Sequence, residues 1–134
     1  MIFKLATAAA VFVILAGGAA QAEIIHFGAK LTGSGAGAGE LSGELETTEH
    51  TFAYRASYTG LSGPATMAHF HGPAAPGANA PPVVVVTDPR TPIGSSVILT
   101  QAQQDDLLAG KWYFNVHTAA NPGGEIRGQV QRLN

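Results

Sequence analysis

The chain has 134 residues, a formal charge of −2 and only 12% charged residues. That length suits one modest domain rather than two, and the absence of any basic run or patch excludes nucleic acid as an expected partner. There is no cysteine, which rules out disulfides, thiolate metal sites and cysteine nucleophiles.

The N-terminus reads as a targeting segment. Lys4 supplies a positive start, Leu5 to Ala16 is an apolar run, and Ala20-Gln21-Ala22 is a small-x-small cleavage site. The run is short for a membrane span, and no second apolar stretch of spanning length follows. Residues 1–22 are therefore expected to be a signal peptide, cleaved before Glu23, giving a periplasmic or secreted protein with no membrane attachment. Residues 23–134 would then be a single domain that relies on its core alone for stability.

That domain is rich in glycine, threonine and valine, in short alternating segments broken by glycine and proline, a pattern that predicts an all-β sandwich or barrel. Ile24 to Leu31 reads as a first strand, Gly33 to Gly39 as a turn, and Glu40 to Glu46 as a second strand. Phe52, Tyr54, Ala56 and Tyr58 mark one face of a third. Met67 to His71 is a fourth, and Gly72 to Pro82 is an irregular loop. Val83 to Val86 has the continuous apolar character of a strand covered on both faces.

One short helix is predicted at Thr100-Gln101-Ala102-Gln103, which fits a capping box. Asp105 and Asp106 are expected near its positive N-terminal end, where the helix dipole accounts for them. Leu107 and Leu108 should pack, and Gly110 should stop the helix. Lys111 to Thr118 is the next strand, with Trp112, Phe114 and Val116 on the core face and Tyr113, Asn115 and His117 on the other. After the turn Asn121-Pro122-Gly123-Gly124, a last strand runs from Glu125 to about Leu133. Its Ile126 and Val130 face the core, and Glu125, Arg127 and Gln129 face outward.

The chemistry concentrates in His69-Phe70-His71. On a strand, His69 and His71 project from one side, about 7 Å apart along the chain. Two imidazoles so placed can close on one metal ion, and His117, on the polar face of another strand, can supply a third. Imidazole ligands suit copper, zinc, iron and nickel, and copper(II) heads the affinity order where thiolate is absent.

Other readings of these residues stay open. A His-x-His pair is often simply packed or hydrogen-bonded. His50 is a solvated strand-start histidine by default, or a fourth ligand. His26 is structural or exposed. Arg127 can pair with Glu125 at the surface, where such pairs contribute little. Asn115 and Tyr113 are either ordinary outward residues or partners that fix an imidazole tautomer. No Gly-x-Ser-x-Gly elbow and no positioned pair of acids is visible.

Two segments carry a resemblance that covers nearly all of residues 23–134. One is Ser62-Gly63-Pro64-Ala65-Thr66-Met67-Ala68-His69-Phe70-His71-Gly72-Pro73-Ala74. The other runs from Ala109-Gly110-Lys111-Trp112 through Asn115-Val116-His117-Thr118 to Gly124-Glu125-Ile126-Arg127-Gly128. Together they resemble the CHRD, or chordin-type, domain, which also occurs in exported bacterial proteins. The resemblance implies an immunoglobulin-like, Greek-key β-sandwich or barrel similar to Cu/Zn superoxide dismutase.

Locally, His69-x-His71 after Thr59-Gly60-Leu61 is similar to the dismutase strand that delivers two copper ligands. Val116-His117 followed by a glycine-rich turn and Arg127-Gly128 is similar to its later copper histidine and the arginine beside the copper. This likeness implies His69, His71 and His117 as ligands to one copper ion, and Arg127 as the catalytic group that attracts and orients a small anion such as superoxide. The dismutase's bridging histidine and zinc-loop ligands have no counterpart, because residues 72–83 contain neither histidine nor acid. A zinc ion is therefore not expected. Three functions follow as expectations: a redox copper protein acting on superoxide, a copper carrier or buffer without turnover, and a metal-free module that binds a protein or polysaccharide.

Overall fold

The computed structural model describes residues 13–134. The expected signal peptide falls largely on residues 1–12, outside the described residues; residues 13–23 have no regular secondary structure. Among the described residues, no helix is long and apolar enough to cross a membrane.

Among the described residues, nine strands and one helix follow in chain order. They are β1 (Ile24–Thr32), β2 (Ala38–Glu46), β3 (Thr51–Thr59), β4 (Ala65–His71), β5 (Pro82–Val85), β6 (Ile93–Ile98), α1 (Gln101–Leu108), β7 (Tyr113–Thr118), β8 (Ile126–Gln129) and β9 (Gln131–Arg132). They form one antiparallel sheet in the order β5-β4-β7-β8-β1-β2-β3-β6, with β9 also on β1. The sheet curls into a nearly closed, barrel-like all-β fold, and β5 and β6 are its two edges. The crossings from β3 to β4, from β5 to β6 and from β6 through α1 to β7 join the two halves of this order.

Period-2 alternation decides what fills the barrel. Phe27, Leu31, Leu45, Phe52, Phe70, Trp112, Phe114, Val116 and Val130 are fully buried, as expected for residues sharing the inner face. Phe52 meets Phe27, Phe70 and Trp112 edge-on at centroid separations of 6.0, 5.5 and 6.2 Å. These are favourable aromatic geometries, and they tie both halves of the sheet through one ring. Gly72 lets the chain leave β4 across Trp112: a Cβ there would lie 2.5 Å from the indole Cδ1.

The helix forms as its sequence predicts. Thr100 Oγ1 accepts from the Gln103 amide, and Gln103 Oε1 accepts from the Thr100 amide. Gly110, at φ 71°, follows the cap residue Ala109.

Four expectations need correction. Asp105 and Asp106 are not at the helix start, since the first turn holds no acid; Asp105 instead accepts from Gln101 Nε2 at 2.8 Å. The valine run is not covered on both faces. It is an edge strand, with Val84 and Val86 buried but Val85 67% exposed. The last strand breaks at Val130: β8 pairs with β7 on one side and β1 on the other, whereas β9 pairs with β1. Finally, β6 was not anticipated. Gly94-Ser95-Ser96 lacks β-forming side chains, and the segment becomes a strand by pairing with β3 from Thr51↔Ile98 to Ala56↔Ile93.

Candidate metal centre

Register on the outer face of the β4-β7-β8 sheet assembles the polar residues in rows. Across β4 and β7, Met67 faces His117, His69 faces Asn115 and His71 faces Tyr113. Across β7 and β8, Asn115 faces Arg127 and Tyr113 faces Gln129. A register shift between Ala65 and Met67 gives β4 one extra residue and sets Met67 opposite His117, the re-aiming role that bulges commonly have.

Two loops then roof this face. Residues 72–81 lie over the Tyr113 end. The Ala80 carbonyl accepts from His71 Nδ1 at 2.8 Å and from the Tyr113 hydroxyl at 3.2 Å, and Gln129 Nε2 donates to the Ala74 carbonyl. Residues 119–124 lie over the other end, where the Pro122 carbonyl accepts from His117 Nδ1 at 2.8 Å. Glu125 holds this second loop: its carboxylate accepts from the Ser62 amide and hydroxyl, Thr118 Oγ1 and Asn121 Nδ2. Those donors, Ser62 foremost, lower the Glu125 pKa. Under this cover His69 and His71 are 8% exposed, His117 5% and Asn115 3%.

The three histidines offer ligand atoms that all lie within 4.8 Å of one another. His69 Nδ1 is 3.1 Å from His117 Nε2. Imidazole nitrogens bind a metal at about 2.0–2.1 Å, so two ligands of one ion stand roughly 3 Å apart, or about 4 Å when opposite. The cluster is close to that geometry.

Its protonation fits too. A carbonyl can only accept, so Ala80 and Pro122 fix the proton of His71 and of His117 on Nδ1. In the neutral rings the Nε2 lone pairs are then bare, and both aim at Asn115 Oδ1, at 3.0 and 2.9 Å. Oxygen could accept from either nitrogen only if that ring were an imidazolium. Burial first, then the charges of His117 and His71, lower the pKa of His69. His69 can donate one proton to His117, but the lone pairs of Oδ1 and the two Nε2 atoms still confront one another. The three imidazoles could hold a metal ion, and imidazole ligands suit copper, zinc, iron or nickel.

Arg127 packs on this assembly from outside. Its Cζ sits 3.6 Å from the centre of the Tyr113 ring, and that ring stacks on His71 at 4.7 Å and 4°. The guanidinium also donates to Asn79 Oδ1 and the Ala78 carbonyl. It does not pair with Glu125, which is engaged by Ser62, Thr118 and Asn121. His50 lies outside the cluster, in the β2–β3 turn, with φ 56° and a buried Nδ1 that has no hydrogen-bond partner. His26 lies apart from the cluster on β1, its side chain 58% exposed and 3.6 Å from Glu44.

The roles of the Ala80 and Pro122 carbonyls had no sequence signal, because a backbone carbonyl leaves none. Asn115 and Tyr113 did: their alternation with His117 put them on its face, although as ordinary outward residues they would be solvated.

Fold and site together define a barrel-like all-β domain with a roofed cluster of three histidines that could hold a metal ion. A model of the CHRD domain matches residues 19–130, and the chain belongs to that family. No curated protein and no solved structure matches the chain.

Proposed function

We propose that this CHRD-domain protein is exported and binds one copper ion through His69, His71 and His117. The observation that carries the reading is the pair of backbone carbonyls, Ala80 and Pro122, which hold two imidazoles with their Nε2 lone pairs both turned into the cluster, towards Asn115 Oδ1. Ordinary packed histidines gain nothing from that arrangement. Metal-ligating ones do, since a carbonyl on the far nitrogen fixes the ring and raises its basicity. Copper is favoured over other ions by the all-imidazole nitrogen set and the Irving–Williams order. Export follows from the signal-peptide reading of residues 1–22.

Bound copper would supply one-electron redox chemistry, and superoxide is the small anion we assign to it. Arg127 supplies positive charge at the rim, which aids anion capture even on a net-negative protein. A second reading, a copper carrier or buffer without turnover, is favoured by the low exposure of the histidines and by the commitment of Arg127 to Asn79 and Ala78.

The test is a copper(II) titration of residues 23–134 with electron paramagnetic resonance, alongside the His69→Ala/His71→Ala double variant. One equivalent bound with a nitrogen-rich spectrum, lost in the variant, is the expected result. A superoxide assay of the loaded protein, with Arg127→Ala beside it, then separates the two copper readings. Absence of stoichiometric binding would retire both and leave a module that binds a protein or polysaccharide.

A further inference from the structure

Asn115 stands at the centre of the cluster rather than at its edge. Its Oδ1 is 3.0 Å from His71 Nε2 and 2.9 Å from His117 Nε2, and His117 Nε2 is 3.1 Å from His69 Nδ1. Each of these separations is that of neighbouring ligands on a single ion with bonds of about 2.0–2.1 Å. Taken in order, His69 Nδ1, His117 Nε2, Asn115 Oδ1 and His71 Nε2 are linked by these three separations, and the His69 and His71 rings at the two ends are 5.4 Å apart between centroids.

The side chain is also built to present oxygen. Asn115 is 3% exposed, so little of its side chain meets water. The groups that meet Oδ1 are two nitrogens whose protons are on the far side of their rings. Gly124, at φ 118°, lies behind the amide nitrogen, and a Cβ there would come within 3.0 Å of Nδ2. Glycine at that position leaves room for the nitrogen to point away from the histidines and the oxygen to point in. A hydrogen-bonding asparagine serving a metal-free cluster would be turned the other way, with Nδ2 donating to the two bare nitrogens.

We propose that Asn115 is a fourth protein ligand, its Oδ1 completing a three-nitrogen, one-oxygen set with His69, His71 and His117. This rests on the three-histidine reading and deepens it. A tetragonal nitrogen and oxygen set is the geometry that copper(II) prefers.

Copper(II) affinity, measured by chelator competition on the wild type, Asn115→Asp and Asn115→Leu, tests the assignment. Circular dichroism confirms that each variant is folded. An oxygen ligand predicts that Leu weakens binding at least 10-fold and changes the copper hyperfine splitting. It also predicts that Asp binds as tightly as the wild type or tighter, because a carboxylate oxygen can replace the amide oxygen. In the wild type made with ¹³C-labelled asparagine, pulsed electron–nuclear resonance should show a strong ¹³C coupling, a readout that no substitution can confuse.

Equal affinity and equal spectra for wild type and Leu, with no ¹³C coupling, would overturn the proposal and leave the three histidines standing. Weakening by Asp as large as by Leu, again with no ¹³C coupling, would do the same and assign the amide a donor role. A wild type that binds no copper would overturn the ligand set as a whole.

Discussion

The barrel has two outer faces that look alike in sequence and behave differently in the structure. On β2 and β3, every second residue points outward to solvent: Glu40, Ser42, Glu44, Ala53, Arg55 and Ser57 are all exposed. On β7, every residue from Tyr113 to Thr118 is buried, polar and apolar alike. Alternation is identical in the two places. The difference is made by residues 72–81 and 119–124, which roof the β4-β7-β8 face and leave the β1-β2-β3-β6 face bare.

Burying polar groups costs free energy unless each is satisfied, so a face that buries three histidines and an asparagine has to be organised. Ala80, Pro122 and Glu125 provide that order. The bare face makes exposed side-chain contacts, His26 with Glu44 and Lys30 with Glu40, of the kind that contributes little. One half of the sheet is therefore scaffold, and the other carries the site.

The largest effect should ignore this division, because the inner face serves both halves. Phe70→Ala removes a fully buried ring that touches Tyr54, Trp112 and Phe114. It should cost about 3–5 kcal/mol in denaturant unfolding. A smaller cost would mean that the two halves fold with separate cores.

Copper binding should divide the faces sharply. His71→Ala and His117→Ala should each weaken it at least 10-fold, about 1.4 kcal/mol, whereas His26→Ala on the bare face should leave it unchanged. Equal losses from all three would erase the distinction.

Two arginines, one on each face, make a finer comparison. Arg127→Ala loses the Tyr113 ring contact and two loop hydrogen bonds and should lower stability by about 1 kcal/mol. Arg55→Ala, on the bare face, should change it by less than about 0.5 kcal/mol. Thermal melts of the two variants decide the matter.

The smallest effect is a pH dependence. Hydrogen bonds, chiefly from Ser62, lower the folded-state pKa of Glu125 below the ordinary 4.5. The unfolded chain then binds the proton more readily, so this contribution is fully present above about pH 4.5 and is lost as pH falls through the folded value. Melts between pH 3 and 6 should show it in the wild type and a flatter profile in Glu125→Gln. Coincident profiles would mean that the 119–124 loop is held by other groups.

Much of this was legible in the chain because inner-face residues obey a local rule. Phe52 and Tyr54, or Trp112, Phe114 and Val116, alternate strictly, and the capping box at Thr100 is a four-residue signal. The pairing of His69-x-His71 with His117 was legible for the same reason, as a polar register on two strands. Other features depend on distant partners. β6 is a strand only because the free edge of β3 accepts it. The valine run reads as doubly covered, but nothing docks on Val85. Whether an outward face is roofed depends on where two irregular loops come to rest, and glycine and proline show only that such loops are irregular. For that reason Asn115 read as an ordinary outward residue, although it lies at the heart of the cluster.

The most direct test of the central claim is anomalous diffraction at the copper absorption edge from crystals of residues 23–134 grown with one equivalent of copper(II). The account predicts one strong peak among His69 Nδ1, His71 Nε2 and His117 Nε2, with Ala80 and Pro122 still bonded to the far nitrogens of His71 and His117. A peak at His26 or His50, or no peak among the three histidines, would contradict it.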